Sequence, residues 1–275
     1  MLAALLDLVL PPRCAGCGEP GALVCPLCLE EVLREPATRP PDPAPPGLPE
    51  CWSATRYDGA ARRVLLAYKE RGRTALAPLL SAVLAEVAET ALAAHAWGPG
   101  HPSVGMEPAR PTRGGPAGRS AAPARGALPG RIALVPVPSA RAASRRRGHD
   151  PVGVITSGAA KLLRRRGLPV TAAPMLRQGR RVADQAGLSS TQRAANLRDA
   201  FVVAPSRTAI ARPSGGRADA VLLVDDIVTT GATLAEAARA VRETGAEVPL
   251  AITVAATPRT RERGRNPVAR HAGET

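Results

Sequence analysis

The sequence predicts an α/β protein in which helices flank a central parallel sheet, with a small four-cysteine module at the N-terminus. Three observations support this prediction. The apolar run at residues 221–224 is followed by a helical pattern, and the apolar run at residues 132–138 is followed by another. Continuous apolar runs of this length are typical of strands that are buried on both faces of a parallel sheet. The third observation is a group of four cysteines within residues 14–28.

The composition is basic and poor in aromatic residues. The 275 residues are enough for one or two domains with a sizeable core. The formal net charge is +14, and 35 of the 37 basic residues are arginine. This charge suits phosphate-rich partners, among them nucleic acid and anionic lipid, but does not choose among them.

The first ten residues, MLAALLDLVL, are apolar but do not indicate a membrane anchor. They are too short to span a bilayer, they contain Asp7, and they lack the basic n-region of a signal peptide. We predict a short helix that packs against the residues that follow. No segment approaches about eighteen uninterrupted apolar residues, so we expect no membrane span and a cytoplasmic protein.

Two C-x-x-C pairs, Cys14 with Cys17 and Cys25 with Cys28, are separated by seven residues. The two-residue gap lets both sulfurs of a pair reach one ion, and four thiolates complete a tetrahedral, structural Zn²⁺ site. One alternative is a pair of disulfides, which a reducing cytoplasm disfavours. The other is a redox C-x-x-C, which needs no second pair. Cys51 is left over as a buried free thiol.

Composition also divides the chain into segments. Residues 1–35 form the predicted zinc module. Residues 36–50 contain seven prolines and are predicted to be a semi-rigid extended linker that spaces this module from the rest. Residues 51–257 form the main domain. Within it, residues 97–130 have no apolar period and are predicted to be a disordered insertion, and residues 258–275 a disordered basic tail.

The main domain is predicted to begin with a basic turn and a long helix. The turn is YKERGR, residues 68–73. Leucine and valine then recur at helical spacing from Leu76 to Val87, which predicts an alanine-rich helix that runs to about His95. Pro78 is compatible with this helix because it lies in the first turn.

The second apolar run, IALVPVP at residues 132–138, predicts a strand that leads into Ser139, Ala140 and Arg141. Backbone N–H groups and a guanidinium at such a place can hold a pyrophosphate, although this signal alone is weak. A helix is predicted next, and the arginine run at its end, residues 164–166, complements the helix C-terminus rather than forming a binding site.

Residues 177–203 combine basic residues, glycines and polar residues between two better-formed elements. A mobile lid that carries Arg180, Arg181 and Arg193 would close over a pyrophosphate and exclude water. An ordinary surface loop and helix is the alternative. Residues 248–256 are predicted to be a final buried strand.

The stretch VLLVDDIVTTGAT, residues 221–233, says most about function. Asp225 and Asp226 follow the apolar run at the predicted carboxyl end of the strand, where open α/β sheets bind ligands and carboxylates accept hydrogen bonds from sugar hydroxyls. The loop that follows consists of Thr229, Thr230, Gly231, Ala232 and Thr233. Its hydroxyl and N–H groups lie at the N-terminus of a predicted helix, which favours a phosphate. Together they predict a site for a ribose 5-phosphate.

Three other interpretations of this stretch are weaker. A Walker B element would need a G-x-x-x-x-G-K-[ST] loop, which the chain lacks. A phospho-acceptor receiver domain would need more βα units than the remaining residues supply. A purely structural strand and capped helix leaves the second aspartate and the threonine cluster unexplained.

The motifs together resemble the ComF family of phosphoribosyltransferase-fold proteins. In order, they are the four cysteines, YKERGR, VPVPSARAASRRRGHD, DQAGLSSTQRAANLRDAF and VLLVDDIVTTGAT. The last also closely resembles the 5-phosphoribosyl-1-pyrophosphate (PRPP) motif of type I phosphoribosyltransferases. The resemblance covers most of the chain outside the linker, the insertion and the tail. One departure is that His149, Asp150 and Pro151 replace the F-N-Q of the usual R-G-F-N-Q.

The resemblance implies a type I phosphoribosyltransferase-like fold that takes PRPP with Mg²⁺. Asp225 and Asp226 would hold the ribose hydroxyls, and residues 229–233 the 5-phosphate. Ser139, Ala140 and Arg141 would form the pyrophosphate loop, and Arg193 matches the flexible loop. Transfer to an acceptor nitrogen would release pyrophosphate, with Arg141 and the two aspartates as the catalytic residues.

The acceptor is not specified by these motifs. Trp52, Tyr57 and Tyr68 are the few aromatic candidates for its wall, and no spacing identifies them. The resemblance also implies a role in DNA uptake during competence, in which the protein would be a non-catalytic accessory that handles single-stranded DNA. The basic charge favours this alternative, whereas the shortage of aromatic residues argues against a base-stacking platform. A purely structural zinc protein is the third hypothesis.

Overall fold

The computed structural model describes residues 12–95, 131–138, 150–179, 199–204 and 220–258. The predicted N-terminal helix, the insertion at 97–130 and nearly all of the basic tail lie outside these residues. Four predicted site residues also lie outside them: Ser139, Ala140, Arg141 and Arg193. So do the lid residues Arg180 and Arg181, and His149.

The described residues form eight strands: β1 (Ala37–Thr38), β2 (Glu50–Arg56), β3 (Ile132–Pro136), β4 (Val170–Ala172), β5 (Leu176–Gln178), β6 (Phe201–Val203), β7 (Ala220–Val228) and β8 (Glu247–Ala256). Six of them form a central sheet with the order β1-β2-β8-β7-β3-β4, and β5 and β6 form a separate antiparallel pair. Within the central sheet, only the pairing of β1 with β2 is antiparallel, and the other four pairings are parallel. The predicted α/β class with a central parallel sheet is therefore confirmed.

Helices cover both faces of this sheet. They are α1 (Pro26–Val32), α2 (Gly59–Lys69), α3 (Ala77–Ala94), α4 (Pro151–Arg165) and α5 (Ala232–Arg242), with a short 3₁₀ helix at Thr74–Leu76. Leu222 and Val224 of β7 face a core shared with α2, α3 and α4. Val221 and Leu223 face the other core, which includes α5 and the β5–β6 pair. The apolar run is continuous because each face of the strand is covered.

Helix α3 confirms the long helix that the sequence predicts, with Pro78 in its first turn. Among the described residues, one stretch, Thr74–Ala94, is long and apolar enough to cross a membrane, with a mean hydropathy of 1.6. More than half of that stretch is buried inside the protein, at 56%. Burial of this extent is what a core helix shows.

The strand that carries the two aspartates is longer than the sequence predicts. The apolar run predicted a strand at residues 221–224 with the aspartates at its carboxyl end, and β7 extends from Ala220 to Val228. Its neighbour β8 is long enough to pair with it that far, with Asp225 opposite Thr253 and Val228 opposite Ala256. On the other side, β3 ends at Pro136, opposite Val224. The aspartates therefore lie within a strand, but beyond the end of β3.

The prediction of an extended spacer at residues 36–50 is also wrong. Ala37–Thr38 pairs with β2, and the carbonyl of Gly47 accepts a hydrogen bond from Arg242 of α5. Leu48 packs against the core on the α5 side. Proline stiffens the segment, but the apolar side chain of Leu48 and the backbone pairing fold it back onto the sheet. The domain boundaries themselves stay a prediction.

The cysteine module packs directly on the main domain. Val32 of α1 is fully buried in the core that contains α2 and α3. The carboxylate of Glu31 accepts a hydrogen bond from the N–H of Ala60 at 3.0 Å, in the first turn of α2. Arg73 donates to the carbonyl of Arg13 at 2.7 Å. The module and α2 therefore form one packed unit.

Candidate functional site

The four cysteine sulfurs converge on one point. All four Sγ atoms lie within 4.8 Å of one another, and those of Cys17 and Cys25 are 3.6 Å apart. A disulfide would need about 2.05 Å, whereas tetrahedral Zn–S bonds of about 2.3 Å place the sulfurs about 3.8 Å apart. The five cysteines are unbridged. The cluster therefore fits a single tetrahedral zinc ion.

Backbone N–H groups near the cluster favour the ionised thiolate that binds a cation. Cys14 Sγ accepts hydrogen bonds from the N–H groups of Gly16 and Cys25, at 3.3 and 3.2 Å. Burial opposes ionisation of Cys14, but backbone N–H groups outweigh it and lower its pKa to about 6. Burial and the neighbouring thiols raise the pKa of Cys28. A side chain on Gly16 would place its Cβ 2.5 Å from Cys28 Sγ, so the turn requires glycine.

The two aspartates have different surroundings. Asp226 is buried, and Lys69 Nζ at the end of α2 forms an ion pair with its Oδ2. Asp225 is partly buried, and its Oδ1 accepts the N–H of Asp226 at 2.9 Å. Burial and the charge of Asp226 raise the pKa of Asp225 well above its usual range, and the charge of Lys69 opposes this shift. The pair thus combines a carboxylate fixed by a cation with a more accessible carboxyl group.

The loop after β7 leads into α5 through a glycine N-cap. Gly231 is the N-cap residue, with φ +74°, and the hydroxyl of Thr230 accepts a long hydrogen bond, at 3.5 Å, from the N–H of Ala232 in the first turn. Thr229 is exposed, and Thr230 and Thr233 are half-buried. Thr257, after β8, holds the start of the loop by donating its N–H to the carbonyl of Val228 at 2.9 Å. The N-terminal N–H groups of α5 and the threonine hydroxyls therefore suit an anion.

Gly231 gives a direct test of how this loop is built. A Cβ there would lie 2.9 Å from Pro41 and 3.0 Å from Leu48, whereas Gly245, with φ +85°, has nothing near its Cβ position. Both substitutions to alanine incur the left-handed backbone cost of about 1–2 kcal/mol, but only Gly231→Ala also collides with the folded linker. We expect Gly231→Ala to lower the free energy of unfolding by more than Gly245→Ala does. Equal losses in urea unfolding would contradict the packing of residues 36–50 on this loop.

Lys69 is a site residue that the sequence interpretation missed, and its neighbour Tyr68 was named there only as an aromatic candidate. YKERGR is not one basic turn, since Tyr68 and Lys69 form the end of α2. Tyr68 donates its hydroxyl to the carbonyl of Pro151 at 2.9 Å and is almost fully buried. Burial, followed by the charges of Asp150 and Asp226, raises its pKa to about 12. The family resemblance includes the motif YKERGR but gives no role for its lysine. An ion pair between distant segments of the chain has no local sequence pattern.

The aromatic candidates do not form an acceptor wall. Tyr68 is enclosed by the core. Trp52 lies within β2 and donates to the carboxylate of Glu50 at 3.0 Å, and Tyr57 packs against the core. A cavity of about 730 Å³ opens along α4, between Ser81, Asp150 and Pro174. Neither the aspartates nor the loop after β7 line it, so this cavity is not the predicted ribose 5-phosphate site.

The departure from the usual R-G-F-N-Q is compatible with the start of α4. Asp150 is the N-cap residue, with extended backbone, and Pro151 is the first helical residue. Aspartate is favoured at the N-cap and proline at the first position. A Cβ on Gly153 would lie 2.5 Å from Asp150 Oδ2. The two replacements therefore begin the helix that follows the predicted pyrophosphate loop.

Comparison with known families places similarity on the C-terminal part of the chain. Residues 177–271 match the family model described as the phosphoribosyl transferase domain. The match includes β7, the two aspartates and the loop before α5, but not the cysteine cluster or the segment after β3. No curated protein matches the chain. The chain therefore carries a region similar to phosphoribosyl transferase domains, joined to a four-cysteine cluster.

Proposed function

We propose that the protein is a PRPP-utilising phosphoribosyltransferase of the ComF family. The observation that supports this most is the position of Asp225 and Asp226, beyond the end of β3 and on the strand whose following loop, Thr229 to Gly231, leads into the N-terminus of α5. Carboxylates for a diol and N–H groups for a phosphate are thereby adjacent at the carboxyl edge of a parallel sheet. The match to the phosphoribosyl transferase domain covers both features.

Each part of PRPP has proposed partners. Asp225 and Asp226 accept hydrogen bonds from the ribose hydroxyls, and residues 229–233 bind the 5-phosphate. Ser139, Ala140 and Arg141 bind the pyrophosphate, and Arg193 closes over it. Mg²⁺ would be bound together with PRPP, since it prefers oxygen ligands, and would supply positive charge against the pyrophosphate. The cysteine cluster holds a structural Zn²⁺.

The proposed reaction needs positioning and charge rather than a protein nucleophile. The C1–O bond of PRPP breaks, and its electron pair leaves with pyrophosphate. The lone pair of an acceptor nitrogen forms the new C1–N bond, and the nitrogen loses its proton to water. The positive charge that develops on the ribose is stabilised by Asp225 and Asp226, and the negative charge of the leaving pyrophosphate is stabilised by Arg141. The acceptor is not identified.

The test is PRPP-dependent release of pyrophosphate. Zinc-replete protein is incubated with Mg²⁺ and PRPP, and with nucleobases and small amines in turn. We expect one acceptor class to increase release above the hydrolytic background, and Asp225→Asn/Asp226→Asn to remove the increase. Release that is equal in the wild type and the double variant would come from elsewhere and would contradict the assigned site.

A second candidate function is the handling of single-stranded DNA during uptake by a cytoplasmic competence factor. The net charge of +14 favours it. A gel shift that weakens with salt and is unchanged by Asp225→Asn would support this function, because phosphate contacts by arginine do not involve the acid pair. The absence of a shift at low salt would exclude it.

A further inference from the structure

We propose that Lys69 is a positioning residue for the acidic pair, through an ion pair that holds Asp226 and offsets one of the two adjacent negative charges. The inference rests on the proposed PRPP site and assigns a role to a residue that the sequence motifs leave without one. Lys69 acts through Asp226, and it is not proposed to contact the substrate.

The contact itself supports this role. Lys69 Nζ meets Asp226 Oδ2, in an ion pair whose carboxylate side chain is 5% exposed and whose lysine side chain is 24% exposed. Two carboxylates on consecutive residues repel each other, and burial adds to the cost of ionising both. A buried carboxylate needs a partner, and one ammonium at this place supplies it.

The titratable groups near Asp226 lie on β7 and α2. Asp225 is its neighbour in β7, Lys69 and Tyr68 lie on α2, and Asp150, at the start of α4, acts on Tyr68. Tyr68 stays neutral near pH 7 because its pKa is raised to about 12. Asp150 and Asp225 are both acids. Among these described groups, Lys69 is therefore the one that can offset the negative charge of Asp226.

The helix that carries Lys69 is fixed at both ends. Its first turn is bound by Glu31 through the N–H of Ala60, and Arg63 donates to the carbonyl of Gly16 in the cysteine module. At the other end, Tyr68 donates to Pro151 of α4. These contacts fix the backbone that carries Lys69, and the cysteine module supports the first turns of α2.

Lysine at this position is not explained by composition. The chain uses arginine at 35 of its 37 basic positions, and its other lysine, Lys161, lies on the exposed side of α4. An ammonium is a compact point charge, whereas a planar guanidinium needs more room and a fork of acceptors. The contact with a single oxygen of a buried carboxylate suits an ammonium.

The experiment is a double-mutant cycle on PRPP affinity. Calorimetric titrations with Mg²⁺ and PRPP compare the wild type with Lys69→Met, Asp226→Asn and the double variant, and Lys161→Met is the control. The coupling energy between two charged side chains in contact corresponds to about 10- to 100-fold in Kd. We expect Lys69→Met to weaken PRPP binding by this factor. Lys161→Met should bind as the wild type does. The double variant should bind no more weakly than Asp226→Asn alone.

Two results would overturn the proposal. One is wild-type affinity in Lys69→Met. The other is a double variant in which the two losses multiply fully, because this would mean that Lys69 acts independently of Asp226. Thermal unfolding and zinc content show whether each variant is folded. If Lys69→Met is unfolded, Lys69→Gln replaces it in the cycle, since glutamine removes the charge and keeps a polar group.

A second measurement separates this inference from the proposed function. The carboxyl of Asp225 is titrated by ¹³C NMR in protein without PRPP. Lys69 lowers the pKa of Asp225, so Lys69→Met should move its titration to higher pH, while Lys161→Met should not. An unchanged titration would contradict the role of Lys69. Failure of the wild type to bind PRPP, with the shift present, would contradict only the transferase proposal.

Discussion

Asparagine at both Asp225 and Asp226 is expected to abolish measurable PRPP binding without unfolding the protein. Each carboxylate would accept a hydrogen bond from a ribose hydroxyl, and hydrogen bonds to charged groups contribute about 1.5–3 kcal/mol each. Loss of both corresponds to about 100-fold or more in Kd. The fold should persist because asparagine has nearly the same volume, and because loss of the ion pair between Lys69 and Asp226 is offset by removal of the repulsion between the acids.

The matched control is Glu243→Gln, which also removes a negative charge near α5. Glu243 forms an exposed ion pair with Arg239, far from the N-terminus of that helix. We expect this variant to bind PRPP as the wild type does, so that a general change in net charge is excluded. A double aspartate variant that binds within about threefold of the wild type would contradict the placement of the ribose, since threefold is less than one hydrogen bond contributes.

Loss of the zinc site is expected to have the largest effect on stability. Cys28→Ala removes one of the four ligands, and metal binding contributes on the order of 10 kcal/mol to small structural zinc sites. The module is packed into the main core through Val32 and caps α2 through Glu31. Even half of that energy would lower the Tm by about 10 °C or more for a chain of this size.

The control for this variant is Cys51→Ala. Cys51 is also buried, but its thiol donates to the carbonyl of Pro49 and it is not part of the cluster. We expect one zinc ion per chain in the wild type and in Cys51→Ala, and none in Cys28→Ala, by elemental analysis after dialysis. A Cys28→Ala protein that retains stoichiometric zinc and the wild-type Tm would contradict a structural four-cysteine site.

The elements that could be predicted from the sequence are those with strong local signals. The run Val221 to Val224 is apolar on both faces, and the structure covers both faces, so the parallel sheet was predictable. Leucine and valine recur at helical spacing from Leu76 to Val87 because one side of α3 is buried. The two C-x-x-C pairs predict convergence of the four sulfurs for the same local reason.

The features that could not be predicted depend on contacts between distant segments. Strand β7 continues through Asp225 because β8 pairs with it that far. No pattern within β7 predicts this pairing. The proline-rich segment folds back because Leu48 finds a core that belongs to α5. Lys69 meets Asp226 only after α2 packs beside β7. Proline content and charge are properties of one segment, whereas each of these three features depends on the segment that packs against it.

Calorimetric titration of folded, zinc-replete wild-type protein with PRPP in the presence of Mg²⁺ tests the proposed PRPP site directly. We expect saturable binding of one PRPP per chain, which weakens as pH falls and Asp225 takes up a proton. The pKa of Asp225 lies well above the usual range, so the loss begins at a higher pH than for an ordinary aspartate. The absence of a detectable heat of binding at every pH at which the protein is folded and carries its zinc would contradict the proposed PRPP site.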